Sequence, residues 1–165
     1  MKSLVKVVLC SFMMLSNIAF AVNVPVYSLS GKQQYLGYIE LEDTVFGLLI
    51  SPHLKKLPPG AHGFHIHECS SCALRGKAAE GHLDLSRVGL HRGPYNGNSH
   101  TGDLPVLTVC PKGGAAVPVL APRLKLADVM GRSIMIDSGS DNYSDTPRKN
   151  GGGKTRIACG EIPAY

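Results

Sequence analysis

The chain has 165 residues, enough for one domain with its own core. Its 17 Lys and Arg against 12 Asp and Glu make a mild basic excess with no dense basic run, which argues against nucleic-acid binding. Such a balance favours an anionic substrate, though only weakly.

Met1 to Ala21 reads as a secretory signal: Lys2 and Lys6 give a positive start, Val7 to Leu15 is mostly apolar, and Ala19-Phe20-Ala21 is a small-X-small cleavage site. The apolar run is too short for a membrane span. Cys10 lies inside it but not in a lipoprotein-type cleavage box. Removal after Ala21 is expected, leaving residues 22–165 as one exported, soluble domain with no membrane attachment. Lys2 and Lys6 leave with the signal, so 15 basic residues then face 12 acidic ones.

Beyond Ala21 no helix-period run of useful length occurs. Short alternating or β-branched segments stand between Gly and Pro instead. Val24–Leu29, Tyr35–Glu42 and Val45–Ser51 are predicted strands, followed by Gly63–Glu68. Alternate side chains of a strand share a face, so His65 and His67 point one way and Phe64 and Ile66 the other. Two imidazoles on one face can close on a single metal ion. The spacing alone equally describes two polar residues on the wet face of an edge strand.

From Cys69 to Gly102 runs a long connection rich in glycine. His82, His91 and His100 follow at equal nine-residue spacing within it, and Asp103 lies three residues further on. Three histidines and a carboxylate make a closed tetrahedral zinc set. A metal would supply the order that such a loop otherwise lacks. The remaining predicted strands are Leu104–Val109, Ala115–Leu120, Ser133–Ile136 and Thr155–Ile162, with a second long polar loop from Asp137 to Lys154. Eight short strands without helices predict an all-β sandwich or closed barrel. Four cysteines remain after signal removal: Cys69, Cys72, Cys110 and Cys159. An even count in an exported chain implies disulfides, with three pairings open. As a rival reading, Cys69 is a soft copper ligand two residues from His67.

Gly63-Phe64-His65-Ile66-His67-Glu68, Gly81-His82-Leu83-Asp84, Gly102-Asp103-Leu104 and Arg156-Ile157-Ala158-Cys159-Gly160 resemble the copper/zinc superoxide dismutases. Gly93-Pro94-Tyr95-Asn96, Ala121-Pro122-Arg123-Leu124 and Asp141-Asn142-Tyr143-Ser144-Asp145 are similar to the bacterial periplasmic branch of that family. The resemblance runs from about Val24 to Ile162. It implies an eight-stranded Greek-key β-barrel with the two long loops folded over a metal site. It also implies conversion of superoxide, a small anion, to dioxygen and hydrogen peroxide. Carried over by position, the copper ligands are His65, His67 and His82. His82 also bridges to zinc, which His91, His100 and Asp103 complete, and takes up and returns a proton during the cycle. Arg156 matches the arginine that draws superoxide in and holds it; taken alone it reads as a surface arginine at a strand start. Asp141 matches the carboxylate joining a copper histidine to a zinc histidine; taken alone it is a turn former before Asn142. Cys72–Cys159 matches the family's disulfide, and Cys69–Cys110 is the pair that remains. His53 and His62 match no ligand and are expected to be surface or structural. Monomer and homodimer are both left open.

One position departs from the pattern. The resemblance places a fourth copper histidine at the end of the seventh strand, where this chain has Asp137. Carboxylate is a harder ligand than imidazole and suits oxidised copper better than reduced copper. Weaker retention of reduced copper, a lowered potential and a slower cycle are expected. Two classes of function follow: an exported superoxide dismutase of reduced activity, or a non-catalytic envelope protein that binds zinc or copper as a metal buffer or chaperone. Arg156 and Asp141 favour the first, Asp137 the second.

Overall fold

The computed structural model describes residues 20–164, so the expected signal segment lies outside it apart from Phe20 and Ala21. Strand β1 (Ala21–Ser28) buries Val22, Val24 and Val26 and exposes the residues between them, as its alternation requires. It pairs antiparallel with β2 (Tyr35–Thr44), which pairs with β3 (Gly47–Leu54). Val45 and Phe46, expected to open the third strand, form an exposed hairpin tip instead. Thr44 Oγ1 accepts the Phe46 N–H at 3.1 Å and donates to the Gly47 carbonyl at 2.8 Å, which turns the chain there.

The three-residue strand β4 (Gly60–His62) pairs with β6 (Leu107–Val109) in a small second sheet; β4 is too short to leave a periodic signal. β5 (Phe64–His67) pairs with β8 (Ser133–Asp137), and β8 with β9 (Arg156–Glu161). β7 (Val119–Ala121) is shorter than its expectation, because Pro118 has no N–H for a ladder and Ala115 makes only an isolated bridge to Leu54. The large sheet has the order β5-β8-β9-β1-β2-β3-β7. A single helical turn, α1 (Leu126–Val129), and two 3₁₀ turns complete the regular structure among the described residues. No described helix is long and apolar enough to cross a membrane. The all-β barrel architecture is therefore as expected, with nine strands where eight were predicted.

One apolar cluster fills the barrel, with Val24, Ile39, Leu41, Leu48, Ile50, Phe64, Ile66, Leu104, Ile134 and Ile136 among its members. Phe64 and Ile66 anchor β5 in that core, which fixes His65 and His67 on the opposite face. β5 ends the large sheet, yet its outer edge is satisfied by the long loop. Ile66 N–H donates to the Gly102 carbonyl at 2.9 Å, Leu83 N–H to Ile66 at 2.8 Å and Leu104 N–H to Phe64 at 3.2 Å. Leu104 is spent on this strap, so β6 starts only at Leu107.

Cys72 and Cys159 form a disulfide across 87 residues of sequence. The expected Cys69–Cys110 bridge is absent, and both thiols are free. Cys69 follows β5, with its N–H on the Ala79 carbonyl, while Cys110 turns the chain after β6 against Gly113 and Gly114 beside Leu54 and Leu57. Parity of count could not see that these are separate parts of the barrel. Thiol titration of the unfolded, unreduced chain 22–165 should therefore find two thiols, at Cys69 and Cys110. A count of zero would restore the second bridge.

Candidate metal centre

The histidine face of β5 is not wet: His65 and His67 are both buried. His65 Nε2 lies 2.8 Å from Asp141 Oδ2. Its other nitrogen, Nδ1, is buried with no hydrogen-bond partner among the described residues and sits 3.5 Å from Asp137 Oδ2. His67 Nδ1 donates to the Glu80 carbonyl at 2.9 Å, which leaves Nε2 free. The rings of His65 and His82 stack with centroids 3.9 Å apart, and those of His67 and His82 stand edge to face at 5.1 Å.

On the far side of His82 three ring nitrogens converge on one carboxylate oxygen. Asp103 Oδ1 is 3.0 Å from His82 Nδ1, 2.9 Å from His91 Nδ1 and 3.6 Å from His100 Nδ1. Ser99 donates to the other oxygen, Oδ2, at 2.6 Å. Among the described residues, one donor atom each from His65, His82, His91 and Asp103 lie within 4.8 Å of one another. This group straddles the two expected ligand sets, because the His65 ring lies against His82. His67 and His100 are not part of it.

Asp141 spans the two sets. Its Oδ2 meets His65 and its Oδ1 meets His91 Nε2 at 2.8 Å, while Oδ1 also accepts the Tyr143 N–H at 2.6 Å. Gly151 packs directly beneath this bridge with φ +73°; a Cβ there would fall on Asp141 Oδ1 and within 2.7 Å of His91 Nε2. Arg123 holds the histidine loop from outside, donating to the carbonyls of Pro94 at 3.0 Å, Ser99 at 3.0 Å and His100 at 2.5 Å. Arg156 donates to the Gly76 carbonyl and, at 2.7 Å, to Glu80, the same carbonyl that holds His67. His62 is buried and structural: its ring nitrogens lie 2.7 Å from the Asp137 carbonyl and 2.8 Å from that of Pro58. His53 stacks on Tyr38, away from the centre.

Charge follows burial. Desolvation, then Arg156, lowers the His67 imidazole to about 3, and desolvation takes His82 well below its ordinary value. Burial works against a charge on His91 as well, yet the hydrogen bonds it donates to Asp103 and Asp141 raise it to about 9. Asp103 and Asp141 are held below the usual carboxylate range by the histidines around them, against the cost of burial. Asp137 is raised, mainly by desolvation. A cavity of about 240 Å³ opens beside His82 and Asp137, and Arg148, Lys149, Lys154 and Arg156 line it.

The donors suit the two metals. The buried His65 Nδ1 and His100 Nδ1 lack partners, and unpartnered buried imidazole nitrogens are costly unless something accepts them. Three Nδ1 atoms around one carboxylate are the ligand chemistry of zinc. Sequence reasoning missed Arg123, although the motif containing it was recognised. It also missed the Glu80 carbonyl, for which no side-chain signal exists, and Gly151, one of three consecutive glycines.

Fold, donor set and basic rim together define a copper/zinc-type metalloprotein of the superoxide dismutase architecture. The model of the copper/zinc superoxide dismutase family matches residues 36–162. The superoxide dismutase [Cu-Zn] of Legionella pneumophila is 44% identical, covering 94% of this chain and 96% of its own. The structure of the Cu/Zn superoxide dismutase from Brucella abortus superposes with a TM-score of 0.81 at 39% identity, covering 87% of this chain and 99% of that one. The solution structure of the monomeric enzyme from Salmonella enterica gives 0.74 at 45% identity, over 87% and 99% of the two chains. The chain belongs to the copper/zinc superoxide dismutase family.

Gly151→Ala should push Asp141 off His91 and weaken zinc binding about 10–100-fold, the usual cost of losing such a support. Competition with a chromophoric zinc chelator measures this; an unchanged affinity would show the bridge to be dispensable. In the metal-free protein, His67 and His82 resist protonation when folded, so stability should fall as pH drops from 6.5 toward 3. His91 acts in the other direction: its contribution is complete below 6.5 and is lost as pH rises through about 9. Melting curves against pH should lose that alkaline limb in His91→Gln.

Proposed function

We propose that this chain is an exported superoxide dismutase, with His65, His67, His82 and Asp137 as copper ligands and His82, His91, His100 and Asp103 as zinc ligands. The observation that carries this reading is the continuous hydrogen-bonded path from His65 through Asp141 to His91, beside a basic cavity reaching His82. Copper, when bound, supplies one-electron chemistry, taking an electron from one superoxide and giving it to the next.

The remaining work falls to the chain's own groups. Arg156 has its guanidinium fixed by the Gly76 and Glu80 carbonyls, so it meets an incoming anion already oriented. Arg148, Lys149 and Lys154 on the same wall raise the local concentration of anions. Asp103 holds His82 through Nδ1, which reserves Nε2 to take up a proton and pass it on to peroxide. Asp141 fixes the ring orientation of His65 and His91 at once. Export is supported by the lysines, apolar run and cleavage site of residues 1–21.

Asp137→His should raise dismutase activity by about tenfold or more, equivalent to ~1.4 kcal/mol of barrier, and copper affinity with it. Rates of superoxide consumption, measured beside copper content, check both. Tight copper binding and full activity in the native protein, with no gain on substitution, would remove Asp137 as the limiting ligand. Chelation of zinc should lower the melting temperature and expose the 69–102 loop to proteases. If neither changes, the zinc assignment fails.

A further inference from the structure

The two halves of the centre have the same composition. His82, His91, His100 and Asp103 form one; His65, His67, His82 and Asp137 form the other. Each is three imidazoles and one carboxylate, and His82 belongs to both. The first set is the closed four-donor arrangement that zinc prefers. The second holds no thiolate or thioether, the donors that favour monovalent copper.

Asp137 is seated as a ligand would be. Its N–H donates to the Gly63 carbonyl at 2.9 Å, and its own carbonyl is held by His62 at 2.7 Å. The carboxylate lies in a slot between two glycines: a Cβ at Gly63 would come within 2.9 Å of Oδ2, and one at Gly153 closer still. From that slot Oδ2 faces the unpartnered His65 Nδ1 at 3.5 Å. A fixed anion beside three neutral donors attracts a dication about twice as strongly as a monocation at the same distance.

We propose that Asp137 makes the second half a divalent-cation site, which accepts zinc as well as oxidised copper and holds reduced copper more weakly than an imidazole in its place would. The inference rests on the assignment of His65, His67 and His82 as ligands made above.

Zinc alone is dialysed into the metal-stripped mature chain and its variants, and bound zinc is counted. The native protein should bind two zinc ions and His67→Ala one, since His67 belongs only to the second half. Asp137→Asn should hold the second ion about tenfold or more weakly than the native chain while the first is unchanged, which also reports that the variant is folded. Under anaerobic reducing conditions, a chromophoric copper(I) chelator should strip the native protein about tenfold or more readily than Asp137→His. One zinc ion in the native protein, equal second-site affinity in Asp137→Asn, or equal copper(I) retention in native and Asp137→His would each overturn the proposal. An absence of dismutase activity at full copper loading would overturn the enzymatic reading instead, and leave these counts standing.

Discussion

The Asp141 carboxylate is the interaction on which the centre depends. One oxygen takes His65, which is rigid because β5 is anchored in the barrel by Phe64 and Ile66. The other takes His91, which lies in an irregular loop with no such anchor. A loop from between β8 and β9 thus fastens a loop from between β5 and β6 to a core strand. Two carboxylate–imidazole bonds in a dry site are worth more than surface pairs, but only while both partners remain in place. The absence of any Cβ at Gly151 follows from this geometry, since nothing larger fits beneath the bridge.

A second tie works through the backbone. The Glu80 carbonyl accepts from both His67 and Arg156. Glu80 ends the segment that Cys72 fastens to Cys159, and Cys159 lies three residues beyond Arg156 on β9. The disulfide thereby sets the distance between the anion-holding guanidinium and a β5 imidazole, although neither sulfur touches them. Cys159 and Met135 pack in a small apolar cluster of their own, separate from the barrel core. The tie therefore does not rely on the main core for its rigidity.

Much of this was legible in the residues. Alternation in Gly63–Glu68 gave the faces of β5, because a buried strand with a period of two admits only one register. His82, His91, His100 and Asp103 were readable because imidazole and carboxylate at loop spacings have few other uses. Strand ends were less so: Val45 and Phe46 have strand propensity, but a hairpin tip needs only exposed residues and a Thr44 hydroxyl. The Cys69–Cys110 pairing failed for a related reason, since counting cysteines carries no information on distance. Arg123 and Glu80 act on or through backbone carbonyls, and a carbonyl has no letter in the sequence.

Asp137 is where local and global preferences part. Its position at the end of β8 buries its side chain, and desolvation raises the carboxyl above its ordinary range. A barrel gains nothing from a buried, unpaired carboxyl, since an apolar or amide residue would cost less. Its charge therefore calls for a partner that folding alone does not supply. Arg156 lies near enough to lower the cost through its charge, while two of its N–H groups are held by the Gly76 and Glu80 carbonyls. His65 Nδ1, 3.5 Å from Asp137 Oδ2, is buried with no hydrogen-bond partner among the described residues. An unpartnered imidazole nitrogen and a carboxylate oxygen 3.5 Å apart are both stabilised by a cation between them. The same pair that weakens the metal-free fold is thus the strongest reason to expect a metal on this side of His82.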